Sequence, residues 1–278
     1  MSTEYEGKQA AARFRADNKL GSAPLGDLVT LIEQFVGADV AVVDTEPDQH
    51  GMTMRRGIDG PVYVAVARTP HPMRQRSTLA HELAHIVFGD WSDNPQIDSA
   101  APVESRANAF ARHLLIPQQG VRDMVAGEYV GSGRAMLSAV VQRFLVSPRI
   151  AAIALEQAGS IDAATKSQWK SISTPNLAAE FGWLDRYQSL ARESDRRRPP
   201  QRLLARAISG WLQNAVSIQT IATLRGSDAG TVERELRAAG LEPAESTVAP
   251  AWAAAAELPK VAFDLSEFDA DLDDGDTQ

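Results

Sequence analysis

The segment His81-Glu82-Leu83-Ala84-His85 constrains this chain more than any other stretch, because its side chains can act together only on a helix. Helical residues four apart lie one turn apart and about 40° offset, so both imidazoles can reach one ion. Glu82 stands off that line, placed to hold a water beside the metal and take its proton. Its surroundings favour a helix. From Pro72 onward, Leu79, Leu83, Ile86 and Val87 fall on one face, and Gly89 is a natural stop. The two histidines are then expected to point out of that apolar stripe toward a cleft.

A catalytic metal of this kind takes three protein ligands and keeps one position open. The chain has no cysteine, so His, Asp and Glu are the strong ligands available, and the third should come from downstream. A helix expected from about Val103 to Ile116, stopped by Pro117, carries both Glu104 and His113. Nine positions put them about 180° apart, so they cannot both face the metal. Val103, Ala107, Phe110, Ala111 and Leu114 set the core stripe nearer the Glu104 side, which makes His113 an exposed helix residue. Asn108, one turn after Glu104, is a candidate for fixing a histidine ring, the alternative being an ordinary packing or capping amide.

Residues 8 to 37 read as helical, with Ala10, Ala11 and Phe14, then Leu28, Leu31, Ile32 and Phe35, at three- and four-residue spacings. Runs at 40–43, 52–55 and 62–67, two of them rich in Val, suit a small antiparallel sheet, with a turn at 57–60. The last run directly precedes the site helix and is expected to line the cleft with a free edge. Residues 133–159 read as helix, turn, helix, with Ser147 as N-cap and Pro148 at the first helical position. The polar stretch 161–195 reads as a connector with one helix near 177–190. Three short helical patterns follow at 203–212, 218–224 and 231–239, a compact unit resembling a helix-turn-helix. From about 244 the chain is Ala-rich and then acidic, and disorder is expected.

With 44% hydrophobic and 23% charged residues, the composition is that of an ordinary globular protein. No run approaches the roughly 18 apolar residues that span a bilayer, so no membrane partner is expected. The first residues lack the basic start and apolar run of a secretory signal, and with zero cysteines the expected location is cytoplasmic. A net charge of −8 argues against a nucleic-acid footprint along the whole chain. Locally, Arg196, Arg197, Arg198 and Arg202, with Arg206, precede the three-helix unit and form a candidate DNA contact. The favoured reading is a solvated basic face on a docking or sensor unit, because Glu233 and Glu235 sit on the would-be recognition helix.

Thr78-Leu79-Ala80-His81-Glu82-Leu83-Ala84-His85, followed by Glu104, Ala107, Asn108, Phe110, Ala111, Leu114, Leu115 and Pro117, resembles the ImmA/IrrE family of bacterial and phage metallopeptidases. Phe144, Val146 and Ser147 are similar to that family's FxVS piece, and Ala84 stands where the family carries glycine. The resemblance covers roughly residues 10 to 160. It implies a minimal thermolysin-like fold in which His81, His85 and Glu104 bind zinc, with manganese or iron as alternatives, and Glu82 is the base. It also implies a regulatory protease whose partner is a helix-turn-helix repressor, in stress response or mobile-element control.

The expected fold class is therefore α+β, mostly helical. A zincin-like domain over 1–125 is followed by a helical extension (126–160), a connector (161–195), a helix-turn-helix-like domain (196–243) and an acidic tail (244–278). Two rival functions are a DNA-binding regulator with a structural or vestigial metal site and a toxin–antitoxin component that acts by binding.

Overall fold

The computed structural model describes residues 2–45, 51–57, 59–91, 102–127 and 131–244. Two helices, α1 (Thr3–Asp17) and α2 (Leu28–Phe35), lead into strands β1 (Asp39–Val43), β2 (Gly51–Arg55) and β3 (Val62–Ala67). Helices α3 (Pro72–Phe88), α4 (Pro102–Leu115), α5 (Gln118–Val125), α6 (Arg134–Phe144) and α7 (Pro148–Gln157) follow. Then come α8 (Ala163–Trp169), α9 (Thr174–Glu180), α10 (Leu184–Ser194), α11 (Gln201–Leu212), α12 (Ile218–Arg225) and α13 (Ala229–Ala238). The protein is α+β and mostly helical. The acidic stretch beyond 244 lies outside the described residues.

The sheet is mixed, not antiparallel as expected, with order β1-β3-β2. The short link from β2 to β3 forces an antiparallel pair, while β1 runs parallel to β3 on its other side. Burial explains the order. Val64 and Val66 of β3 are 0% and 1% exposed and suit the centre, whereas Met52 and Met54 leave β2 at an edge, 44% and 47% exposed. Directly paired residues share a face, so Gly51 and Thr53, opposite Val66 and Val64, lie on the face that also carries Val40 and Val42. That face is turned to α3.

Helix α3 buries Leu79, Ala80, Leu83 and Ala84, whereas Val87, expected in the same stripe, is exposed. Helix α4 lies between α3 and α1 and is therefore buried on both sides. Phe110 packs edge-on against Phe88 on one side and Phe14 on the other, at centroid distances of 6.1 and 6.2 Å. The α1 backbone comes so close that a Cβ on Gly7 would sit 2.6 Å from the Arg106 carbonyl oxygen and the Phe110 nitrogen. This sandwich corrects the expectation for His113, which is buried. Its Nε2 meets Glu4 Oε1 of α1 at 2.9 Å, and Arg112 also pairs with Glu4.

The stretch expected as a connector with one helix near 177–190 is instead three helices, α8 and α9 capped by Asp162 and Ser173 and α10 overlapping the expected one. Trp169, Leu177, Ala178, Trp183 and Tyr187 join the main core, and the Trp183 indole donates to Ser138 Oγ at 2.9 Å. The stripe was hidden because helices of seven residues show barely two turns of periodicity. The end of α10 is clipped to the loop before α3, where Ser194 Oγ donates to the Thr69 carbonyl and Gln75 donates to that of Ser194, both at 2.8 Å. Helices α11 to α13 enclose a second core of Ala207, Trp211, Ile221, Ala222, Val232 and Leu236.

Two stability outcomes follow. Gly7→Ala should cost about 1–3 kcal/mol, because its methyl meets backbone that cannot swing aside; urea midpoints measure this. Burial holds His113 below its ordinary value of 6.5 despite Glu4, so the folded state binds fewer protons than the unfolded chain. Stability should therefore fall as pH drops below about 6.5, and His113→Gln should flatten that part of the pH profile. Glu4 is itself partly buried, which raises its carboxyl, but the hydrogen bonds from Arg112 and His113 outweigh this and hold it below 4.5. Its contribution is lost only at more acid pH, so the two windows are separable.

Candidate metal centre

Helix geometry brings His81 and His85 to one face of α3, with ring centroids 4.8 Å apart. The first turn of α4 adds Glu104. His81 Nε2 lies 3.1 Å from His85 Nε2 and 3.0 Å from Glu104 Oε2, and His85 Nε2 lies 3.5 Å from Glu104 Oε1. Among the described residues, these three form the group that could hold a metal ion.

The other ring nitrogens decide what those atoms offer. His81 Nδ1 faces Asn108 Oδ1 at 3.1 Å, and His85 Nδ1 faces Asp90 Oδ2 at 3.3 Å. With Nδ1–H donating a hydrogen bond to each oxygen, both Nε2 atoms are left as lone pairs aimed at each other and at a carboxylate. Such a set repels itself without a cation. Zinc bonds of about 2.0–2.2 Å in a tetrahedron place ligand atoms about 3.3–3.6 Å apart, close to the observed triangle. The residues fit a zinc-sized ion with one face left open.

Asp90 reaches His85 because Gly89 ends α3 in the left-handed conformation at φ 69°, turning the next amide back to the His85 carbonyl at 2.9 Å. Arg106 of α4 pairs with Asp90 and stacks over Phe88, its guanidinium carbon 4.5 Å from the ring centre. Helix α4 thus supports both histidines, one through Asn108 and the other through Arg106 and Asp90.

Glu82, next to these ligands, leans toward the sheet. Thr53 Oγ1 donates to Glu82 Oε2 at 2.7 Å, and a Cβ on Gly51 would lie 2.6 Å from Glu82 Oε1. Burial pushes the Glu82 carboxyl up, with Glu104 adding to the rise and Thr53 and the two histidines opposing it. The strand beside the site is therefore β2, an edge strand. The expectation that 62–67 lines the cleft with a free edge fails, because β3 is paired on both sides.

Residues 38–156 match the model of a peptidase family described as the IrrE N-terminal-like domain. Over those residues the chain is similar to that domain. No curated protein matches the sequence. The IrrE-like segment runs from the residue before β1 into α7 and contains Gly51, Thr53, His81, Glu82, His85, Asp90, Glu104 and Asn108. The match supports a metallopeptidase of the IrrE/ImmA type. Helices α1, α2 and α8 to α13 lie outside the match.

Sequence reasoning had no signal for Asp90, Thr53 or Gly51, since each acts through a turn or strand pairing rather than through motif spacing. His71 lies at the exposed start of α3, about 15 Å along the helix from His81 by rise, and Tyr63 is on the opposite sheet face from Thr53. Three of the five arginines read as a candidate DNA contact are engaged within the chain. Arg198 pairs with Asp27 at 2.6 Å, Arg202 with Asp39 at 2.9 Å and Arg197 with Asp44 at 3.4 Å, which joins the C-terminal unit to α2 and β1. No single helix among the described residues is long and apolar enough to cross a membrane.

Glu104→Ala should abolish tight metal binding, and Asn108→Ala should weaken it about 10–100-fold by freeing the His81 ring. Metal analysis after dialysis against a graded chelator reads both. Full occupancy in Glu104→Ala would remove Glu104 from the ligand set.

Proposed function

We propose that this protein is a zinc-dependent endopeptidase of regulatory type that cuts a helix-turn-helix repressor in the cytoplasm. The observation that carries the reading is the pairing of three convergent lone pairs from His81, His85 and Glu104 with a separate buried carboxylate, Glu82, held by Thr53. When bound, the metal supplies Lewis acidity for the scissile carbonyl, with zinc best matched to two imidazoles and a carboxylate and manganese or iron as alternatives. Glu82 takes a proton from the attacking water and returns it to the leaving amine. Its raised proton affinity, caused first by burial, suits it to both transfers. Thr53 and Gly51 keep the carboxylate in place, one by donating a hydrogen bond and the other by leaving room.

Beside this carboxylate, β2 has a single partner among the described residues, so an extended substrate segment can add to its other edge through backbone hydrogen bonds. Such pairing does not demand a particular side chain. Cleavage is accordingly at one or a few exposed, extended segments rather than throughout a folded target. The repressor as target rests on the IrrE/ImmA kinship.

Glu82→Gln should keep the metal and lose about 10²–10⁴-fold in peptide cleavage. A Glu82→Gln protein that cuts at the parental rate sinks the mechanism. Thr53→Val should lower kcat with little change in KM, because it loosens the base without touching the metal; steady-state kinetics on one peptide separates the two parameters.

A further inference from the structure

A cavity of about 380 Å³ lies away from the metal centre, between the start of α2, the first two turns of α3, the end of α10 and the strand-like segment 196–198. Its size falls in the range of small-molecule sites, about 300–1,000 Å³. Val29, Val42, Met73, Leu79, Leu145 and Leu190 supply apolar walls that offer water few partners.

The charged groups on its lining are Arg76, Arg196, Arg197 and Arg198 against Asp27 and Glu193. Asp27 is already used, since it caps the Val29 amide at 3.0 Å, accepts from Thr30 at 2.8 Å and pairs with Arg198 at 2.6 Å. Arg197 leans on Asp44 outside the cavity. Arg76 is the unusual member. Its two terminal nitrogens donate to the Gly26 and Leu25 carbonyls at 2.7 and 2.8 Å, and its Nε is buried with no partner. Among the described residues it forms no ion pair, and burial pulls its guanidinium down to about 10 even though Asp27 opposes the fall. Arg196 is exposed at the cavity mouth and likewise forms no ion pair among the described residues.

We propose that this cavity binds a small amphiphilic anion, a carboxylate on an apolar body, with the carboxylate held between Arg76 and Arg196 and the body against the leucine and valine walls. Arg76 and Arg196 outnumber Glu193, the lining carboxylate that forms no ion pair among the described residues, and so set the sign of the ligand, while the walls set its apolar part. Helix α3 contributes Met73, Arg76 and Leu79 to this cavity and His81, Glu82 and His85 to the metal centre, so a ligand here braces the helix that bears the motif.

Isothermal titration calorimetry of the full-length protein with sodium octanoate and with 1-octanol tests the proposal, and it is independent of any peptidase activity. Octanoate should bind about tenfold or more tightly than octanol, the contribution of one charge-assisted contact. Arg196→Gln should cut that preference severalfold, leaving the part due to Arg76, and Leu190→Trp, which fills the cavity from α10, should remove binding of both probes; melting curves of each variant check that it folds. Equal binding of the acid and the alcohol, absence of octanoate binding, or an octanoate preference that survives in both variants would overturn it.

Discussion

Three atoms that repel one another have to be held about 3 Å apart before a metal arrives, and much of this half of the molecule is arranged to hold them. The two imidazoles come from a single helix, so their spacing is set by backbone hydrogen bonds and is rigid. The carboxylate comes from a different helix, so its position depends on how α4 seats against α3. That seating is secured by Phe110 between Phe88 and Phe14, by the Asn108 and Arg106–Asp90 contacts that cross between the helices, and by the close α1 backbone at Gly7.

The site has two chemically distinct sides because the two neighbours of α3 differ. Toward α4, polar side chains orient imidazoles and present a carboxylate to a cation. Toward the sheet, the walls are apolar apart from Thr53, and this environment raises the proton affinity of Glu82. A carboxylate that is to move protons gains from that desolvation, whereas a carboxylate that is to bind a metal gains from staying ionised. Glu82 meets the apolar side because it leans from α3 toward the sheet, whereas Glu104 enters the site from α4.

The IrrE-like segment is embedded in a larger frame. Helix α1 closes the outer side of α4, α8 to α10 complete the main core, and Arg198 adds a two-bond bridge to β1 through the Val42 amide and carbonyl at 2.8 and 3.0 Å. Through Ser194 and Gln75 the frame also touches the loop that launches α3, so the position of the motif-bearing helix is linked to the C-terminal half of the chain.

By itself the sequence determined the motif helix, its stop at Gly89, the opposite facing of Glu104 and His113 and the three C-terminal helices, because each is a local matter of periodicity, capping or helical phase. Asn108 was within reach for the same reason, lying one turn from Glu104. Tertiary structure decided the rest. Phase alone said that His113 faces away from the metal, but whether that face meets water depended on α1 packing there, a contact between residues about a hundred positions apart. The sheet became mixed because strand order depends on which strand can be buried on both sides, and this moved the open edge from 62–67 to β2. Thr53 and Gly51 entered the site only through that pairing, and Asp90 only through a left-handed turn and an arginine on the next helix. The short helices of 161–195 were illegible because two turns of amphipathic pattern resemble a polar linker until Trp169, Trp183 and Tyr187 find a core to fill.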